Sequence, residues 1–385
     1  MESLLMQRRT RGDGGLYKRS DGMWIGVVEI PTQDGLRKRK TVSSKDRGKA
    51  LNKLRDLRRQ VEAGRVPVAT NTTVEQWITH WLETIQAPRV RPNTLESYYE
   101  PVVRIHLVPH LGHVRLDRLT PTQVRAMLTT IAQSSTRNAQ KAHQVLGKAL
   151  ADAVKEGIIA RNVVEVIDKP DHVPDEVDPF TFEEARQIIT TAFDIGDPLA
   201  TMWVTLFFTT ARQGEAIGME LDRCDLGAGI FDFAWQLQDR PKSIRPGFEY
   251  RDCTDGLIWT RPKSKAGRRA VPMTAPVWAM MTQYISAMSG PNLHGLMWHH
   301  ADGRPISPHD ADNAWRALIE RSGVRYRSMH ATRHTTNTLL NNRGVTQETR
   351  MQVSGHSTAV AQKGYVHVDH EPARAALSNL NELLS

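Results

Sequence analysis

Between His330 and Tyr365 the chain holds four side chains suited to one kind of chemistry. His330-Ala-Thr-Arg333 comes first. Ser354-Gly-His356-Ser follows after a helix-like interval, and Tyr365 stands nine residues beyond His356, in Lys-Gly-Tyr-Val-His. A tyrosine hydroxyl is a weak nucleophile at its ordinary pKa and needs help from its neighbours. If it attacks a phosphodiester, charge builds on the phosphoryl oxygens and must be neutralised. A planar guanidinium fork suits that task, because it meets two phosphate oxygens at once. These residue types at these offsets therefore point to nucleophilic attack on phosphorus.

Two further stretches carry candidate groups. Leu199 to Thr210 is almost entirely apolar and reads as a buried helix; Arg212-Gln-Gly-Glu215 sits at its end. An arginine beside so apolar a helix needs a partner or a bound anion. Glu215 either orients it or forms a structural ion pair with it. The second stretch is Lys263-Ser-Lys265-Ala-Gly267, predicted to be the turn of a hairpin between Leu257-Ile-Trp259 and Arg268–Met273. A lysine on that tip can reach a leaving oxygen as general acid, and a hairpin tip is equally an ordinary place for surface lysines. His299 and His300 lack a set of companion ligands, so no metal site is expected.

The chain has 385 residues, enough for two or three domains, and 39% hydrophobic content, enough for real cores. No run of eighteen apolar residues occurs, so no membrane helix is expected, and Met1–Arg9 is too short and polar for a signal peptide. Cys224 and Cys253 are the two cysteines, read as free thiols in a reducing, cytoplasmic setting. The net charge is +9, and residues 1–65 alone hold 17 Lys and Arg against 8 Asp and Glu. So local a basic field points to nucleic acid ahead of an anionic membrane. No basic amphipathic helix with an aromatic face supports the membrane reading.

Residues 1–65 read as a domain of about three short strands and a helix. Met23–Ile30 and Leu36–Val42 are strands around the Asp34-Gly35 turn. Ser43 is the expected cap of a helix carrying Leu51, Leu54, Leu57 and Val61. Lys18, Arg19, Arg37, Lys38, Arg39 and Lys40 are its candidate DNA contacts, because a basic ribbon can enter a major groove. Residues 70–168 read as an all-α domain whose first helix is capped by Thr72-x-x-Glu75 and another by Thr120-Pro121-x-Gln123. Arg137, Lys141 and Lys148 on its last helix are candidate phosphate contacts. Residues 169–179 are polar and Pro-rich, a linker. Residues 180–385 form the third domain, mainly helical with a small sheet or hairpin. Gln236–Thr254 is expected to be a loop or insertion, and Ala376, Leu377, Leu380 and Leu383 to mark a tail helix.

Taken together, these motifs resemble the tyrosine recombinases, and within them the integrases of actinobacterial phages or integrative elements. Thr210-Ala-Arg-Gln-Gly-Glu215 resembles the family's first box, Pro262–Pro272 its lysine hairpin, His330-x-x-Arg333 its second box, and Ser-Gly-His356-Ser with Tyr365 its last. The likeness covers nearly the whole chain, including a SAM-like core-binding domain and an N-terminal arm-site domain. Ala211 stands where leucine is usual, Ser354 where leucine is common, and the 226–258 region is longer than the family norm. Of the two lysines, Lys263 fits the family's Lys-Thr-Lys pattern better; Lys265 is the alternative.

The resemblance implies a site-specific recombinase with the multidomain tyrosine recombinase fold. Tyr365 would form a 3′-phosphotyrosyl link to DNA, with Arg212, Arg333 and His356 on the phosphate. Lys263 would protonate the leaving 5′ oxygen, His330 would assist proton transfer, and Glu215 would brace Arg212. No cofactor is implied, since the link conserves bond energy and the cationic side chains supply the charge. The implied partners are double-stranded attachment-site DNA, three further protomers in a tetramer on that DNA, a host DNA-bending protein and an excisionase. Rival readings are a dimer-resolving or transposon-type recombinase, and a DNA-binding regulator that does not cleave.

Overall fold

The computed structural model describes residues 15–31, 37–62, 72–173, 178–254, 256–262, 267–354 and 370–384. The chain forms two compact units that divide between Val173 and Pro174, inside the Pro-rich stretch. Among the described residues, no helix is long and apolar enough to cross a membrane.

The first unit opens with an antiparallel sheet of β1 (Leu16–Lys18), β2 (Trp24–Pro31) and β3 (Arg37–Ser44), in that order. Helix α1 (Arg47–Glu62) packs across it through Leu54 and Leu57 on Val28. Gly26 allows this approach, since a Cβ there would lie 2.9 Å from Val42 and 3.0 Å from Leu54. The helix cap is Asp46, whose carboxylate accepts from the Lys49 amide at 2.7 Å, and not Ser43. Ser43 is still paired with Ile25 in β3, so the strand runs further than the turn signals suggested. Alternation leaves Arg39 exposed and Lys40 half-buried on the opposite face.

A separate core belongs to the helical part. It is built from α2 (Val74–His80), a helical run through Leu111 with several π-type turns, α3 (Pro121–Ala132) and α4 (Thr136–Lys155). The Thr120–Gln123 capping box forms as expected. The cap of α2 is Thr73 with Gln76, one residue later than Thr72 with Glu75. The reason is tertiary: the Thr72 carbonyl is taken by the Leu116 amide at 3.0 Å, so the chain is still extended there. Ala139, Ala142, Ala149 and Ala153 put small residues on the buried side of α4, which lets Trp77 and Trp81 lie close. Their indole nitrogens donate to the Ala149 carbonyl and to Asp152.

The second unit surrounds α6 (Ala200–Thr209), all ten of whose residues are buried. α5 (Phe182–Asp194) precedes it behind a Thr181–Glu184 capping box, and α7 (Gln213–Ile217) follows. α8 (Ala275–Ala287), α9 (Pro308–Ser322), α10 (His330–Asn342) and α11 (Gln347–Ser354) complete the body. Trp203, Phe207, Phe180 and Trp315 stack edge-on or tilted at its centre, with ring centroids 5.3–6.5 Å apart.

Two three-stranded antiparallel sheets flank this core. One has the order β4 (Cys224–Asp225), β5 (Ile230–Phe233), β9 (Arg269–Pro272); the other has β6 (Gln236–Asp239), β8 (Leu257–Thr260), β7 (Tyr250–Thr254). Two expectations are corrected here. Gln236–Thr254 is not simply a loop, since it contributes β6 and β7 on either side of the fully buried β8. Nor do β8 and β9 pair as a hairpin: β9 pairs with β5, and β8 pairs with β6 and β7. Lys263 and Lys265 lie outside the described residues.

The tail helix α12 (Glu371–Ser378) packs on the chain's own second unit. Ala373, Leu377, Leu380 and Leu383 are all buried there. Truncating Leu380 to alanine should therefore cost about 2–5 kcal/mol in urea unfolding of the DNA-free protein at low concentration. An unchanged midpoint would place the tail's contacts on a second protomer instead.

Candidate active site

The end of α6 sets the site. Thr210 terminates the helix in the left-handed region, at φ 54° and ψ 24°. A β-branched residue there is strained by about 1–3 kcal/mol. Two contacts hold it: its hydroxyl donates to the Val353 carbonyl at 3.3 Å, and its own carbonyl accepts from Arg333 Nη1 at 2.7 Å. The reversal sends the chain straight into Arg212, which stands at the start of α7.

α7 lies against β6 with no side chain between them at two points. A Cβ on Gly214 would meet the Leu237 carbonyl oxygen at 2.7 Å, and one on Gly218 the Leu237 nitrogen at 2.5 Å. The strand that sequence reading missed is thus the seat of the helix that carries Arg212 and Glu215.

Glu215 is completely buried and meets three donors. Its Oε1 accepts from Arg212 Nη1 at 2.6 Å, and its Oε2 accepts from the Arg212 amide at 3.0 Å and from Arg269 Nη2 at 3.0 Å. Burial by itself pushes this carboxyl's pKa up. The charges of Arg269 and Arg212 and their hydrogen bonds outweigh that and hold it below the usual carboxylate range. Arg333 belongs to the same cluster. Burial, with the nearby charges of Arg212 and Arg269, pushes its guanidinium down to about 10, so it remains a cation at neutral pH. Arg212 and Arg269 pair with the carboxylate, while Arg333 is held by the Thr210 and Ser354 carbonyls close enough to feel the same charges; three guanidiniums beside one carboxylate leave an excess of positive charge. Of the three, Arg212 is the most exposed, at 39% of its side chain.

Of the residues singled out from the sequence, Arg212, Glu215 and Arg333 are brought together. His330 begins α10 one turn before Arg333; it is exposed and packs edge-on to His334, with ring centroids 4.9 Å apart. Burial and the Arg333 charge lower the His334 pKa. His356, Tyr365, Lys263 and Lys265 lie outside the described residues. The described chain reaches Ser354, whose carbonyl accepts from Arg333 Nη2.

Arg269 was missed. It sits in β9 with Nε donating to the Val353 carbonyl at 3.0 Å and its guanidinium 4.7 Å from the centre of the Phe233 ring. A signal existed: Arg269, Val271 and Met273 alternate on the buried face of a strand, so an arginine at that register needs a partner inside.

The basic residues proposed for DNA are differently placed. Lys18 is exposed, Arg19 is held by Asp21, and Arg39 lies 3.5 Å from Glu29 across the sheet. Arg37 and Lys38 lie in β3, with side chains outside the described set. Arg137, Lys141 and Lys148 fall on one stripe of α4. Lys141 lies over the Tyr98 ring at 5.7 Å, and Lys148 donates to the Tyr99 hydroxyl at 3.0 Å. Arg137 is exposed.

This architecture is that of the tyrosine recombinases. Four-fifths of the chain superposes on 99% of the solved fragment of a Tn1549 transposon integrase in complex with circular intermediate DNA, at TM-score 0.61 and 21% identity. A lambda integrase dimer bound to a core site aligns over 94% of this chain and 99% of its own, at TM-score 0.56 and 15% identity. Residues 179–371 match the phage integrase family model, and 73–131 match the model of the phage integrase N-terminal SAM-like domain. The chain belongs to the phage integrase family. Integrases of Saccharopolyspora erythraea and Streptomyces ambofaciens are 27% and 28% identical to it; alignment covers 94% of this chain with each, and 95% and 94% of theirs. It is a site-specific DNA recombination enzyme of the tyrosine recombinase type.

Glu215→Gln breaks a buried pair and should cost about 3–5 kcal/mol of stability at neutral pH. Because the folded-state pKa of Glu215 is depressed, its contribution is present above the ordinary carboxylate pKa and lost as pH falls through the lower folded value. The stability gap between wild type and E215Q should therefore be constant from pH 7 to about 5 and shrink below about 4. Denaturant unfolding at several pH values measures it; a gap that does not change with pH would contradict the assigned charge.

Proposed function

We propose that this chain cuts and rejoins attachment-site DNA through a 3′-phosphotyrosyl intermediate, integrating and excising a phage or other mobile element. The observation that carries the reading is a cluster of three guanidiniums around one buried carboxylate, two of them paired with it and the third, Arg333, held beside them by backbone carbonyls, open to the surface at Arg212. Such a cluster is short of an anion, and a scissile phosphate supplies one.

Tyr365 is the nucleophile. Its oxygen attacks phosphorus, the bond to the 5′ oxygen breaks, and the strand leaves with a 5′ hydroxyl. Arg212 and Arg333 neutralise the non-bridging oxygens, with His356 as a further donor. Lys263, or Lys265 in its place, protonates the leaving oxygen, and His330 assists proton transfer at the tyrosine. Glu215 holds Arg212 in line. A 5′ hydroxyl from another strand reverses the step, so the protein link stores the bond energy and no nucleotide cofactor is consumed.

Residues 70–168 are assigned to the core site, with Arg137, Lys141 and Lys148 toward the backbone. Residues 1–65 are assigned to separate arm sites through Lys18, Arg19 and the Arg37–Lys40 run. A lambda integrase of the same fold was solved as a tetramer on a Holliday junction, which supports four protomers here. A host bending protein and an excisionase, acting in the bacterial cytoplasm at the nucleoid, complete the proposal.

Incubation with nicked junction DNA in EDTA, beside Tyr365→Phe, tests the chemistry. The expected result is a covalent adduct at one 3′ phosphate, absent from the variant. Binding without an adduct on a validated crossover sequence would favour a regulator that does not cleave.

A further inference from the structure

Arg269 links two parts of the site that come from distant stretches of the chain. Its Nη2 donates to Glu215 Oε2 at 3.0 Å, and the other oxygen of that carboxylate holds Arg212. Its Nε donates to the Val353 carbonyl at 3.0 Å, which also accepts from the Thr210 hydroxyl. The next carbonyl, Ser354, accepts from Arg333. Two neighbouring carbonyls at the end of α11 are therefore held by the arginine of β9 and the arginine of α10. In sequence, His356 follows two residues later.

A role in packing alone does not account for this choice of residue. Position 269 lies on the inward register of β9 with Val271 and Met273, and 5% of its side chain is exposed. An apolar side chain there with an apolar partner at 215 would be as stable as the buried ion pair or more so. What only a guanidinium supplies is a rigid fork with donors in several directions at once. Lysine would reach Glu215 or Val353, but not both with this geometry.

From this we infer that Arg269 is a positioning residue for strand cleavage: it fixes Glu215, and through it Arg212, in register with the C-terminal end of α11. The inference rests on the recombinase mechanism proposed above. Arg269 is almost wholly buried, so its effect passes through Arg212 and through the α11 carbonyls. Loss of that register should slow the chemical step by about 100-fold, the usual consequence of an ångström-scale displacement of a reacting group. DNA affinity should change little.

The test compares single-turnover cleavage by wild type, Arg269→Met and Arg269→Lys, at saturating DNA and well below each protein's melting midpoint. Two nicked duplexes are used, with the junction sequence of the element that carries the gene. One has an ordinary scissile phosphate; the other has a scissile methylphosphonate, which bears no negative charge. If Arg269 acts through the phosphate clamp, R269M is about 100-fold slow on phosphate and within a few fold of wild type on methylphosphonate. R269K, which keeps the charge but loses the fork, falls between them on phosphate, and it carries the test if R269M does not fold. Equal slowing on both substrates, or none on either, overturns the inference and leaves Arg269 a structural residue. If the wild-type chain fails to cleave the phosphate duplex that it binds, the recombinase reading falls, and the inference falls with it.

Discussion

The second unit depends on one buried carboxylate. Glu215 has no exposed surface, and such a group stays ionised only where cations and donors surround it. Arg212, its backbone amide and Arg269 provide them. The need runs both ways, because Arg269 is itself almost wholly buried and would be an uncompensated charge without Glu215. α7, β9 and the end of α11 are thus linked through one guanidinium, which bonds the Glu215 carboxylate and the Val353 carbonyl.

The surrounding fold serves this arrangement at some cost. Thr210 accepts a left-handed backbone so that the chain can leave α6 and present Arg212. α7 gives up side chains at Gly214 and Gly218 to lie flush on β6. Arg333 is buried with its donors directed to the Thr210 and Ser354 carbonyls, and burial, with the charges of Arg212 and Arg269, depresses its pKa. Each of these would be a fault in a domain built only for stability. Each is consistent with a site organised in advance to receive an anion.

Much of this was legible in the sequence because it rests on local patterns. The apolar run before Arg212 reads as a buried helix, and Thr181-x-x-Glu184 and Thr120-Pro121-x-Gln123 read as caps, since each signal sits within one turn. The pairing of Glu215 with Arg212 follows from a three-residue spacing. What stayed hidden depends on distant partners. Thr72 was passed over as a cap because Leu116 takes its carbonyl. β6 and β7 are short and polar, and they become strands only because the buried β8 lies between them. Arg269 reads as one of several basic residues near a turn until Glu215, 54 residues away, is placed beside it. Lys141 and Lys148 gain meaning only against Tyr98 and Tyr99.

A double-mutant cycle on the unfolding free energy, with Glu215→Gln, Arg269→Met and the two combined, tests the central claim most directly. If the buried carboxylate organises the unit, each single variant leaves the other partner unpaired, and the double variant is much less destabilised than the sum of the singles. The coupling is then near the upper part of the about 0.5–3 kcal/mol range for residues in contact. Additive costs would contradict the account and mean that Glu215 and Arg269 stabilise the unit independently of each other.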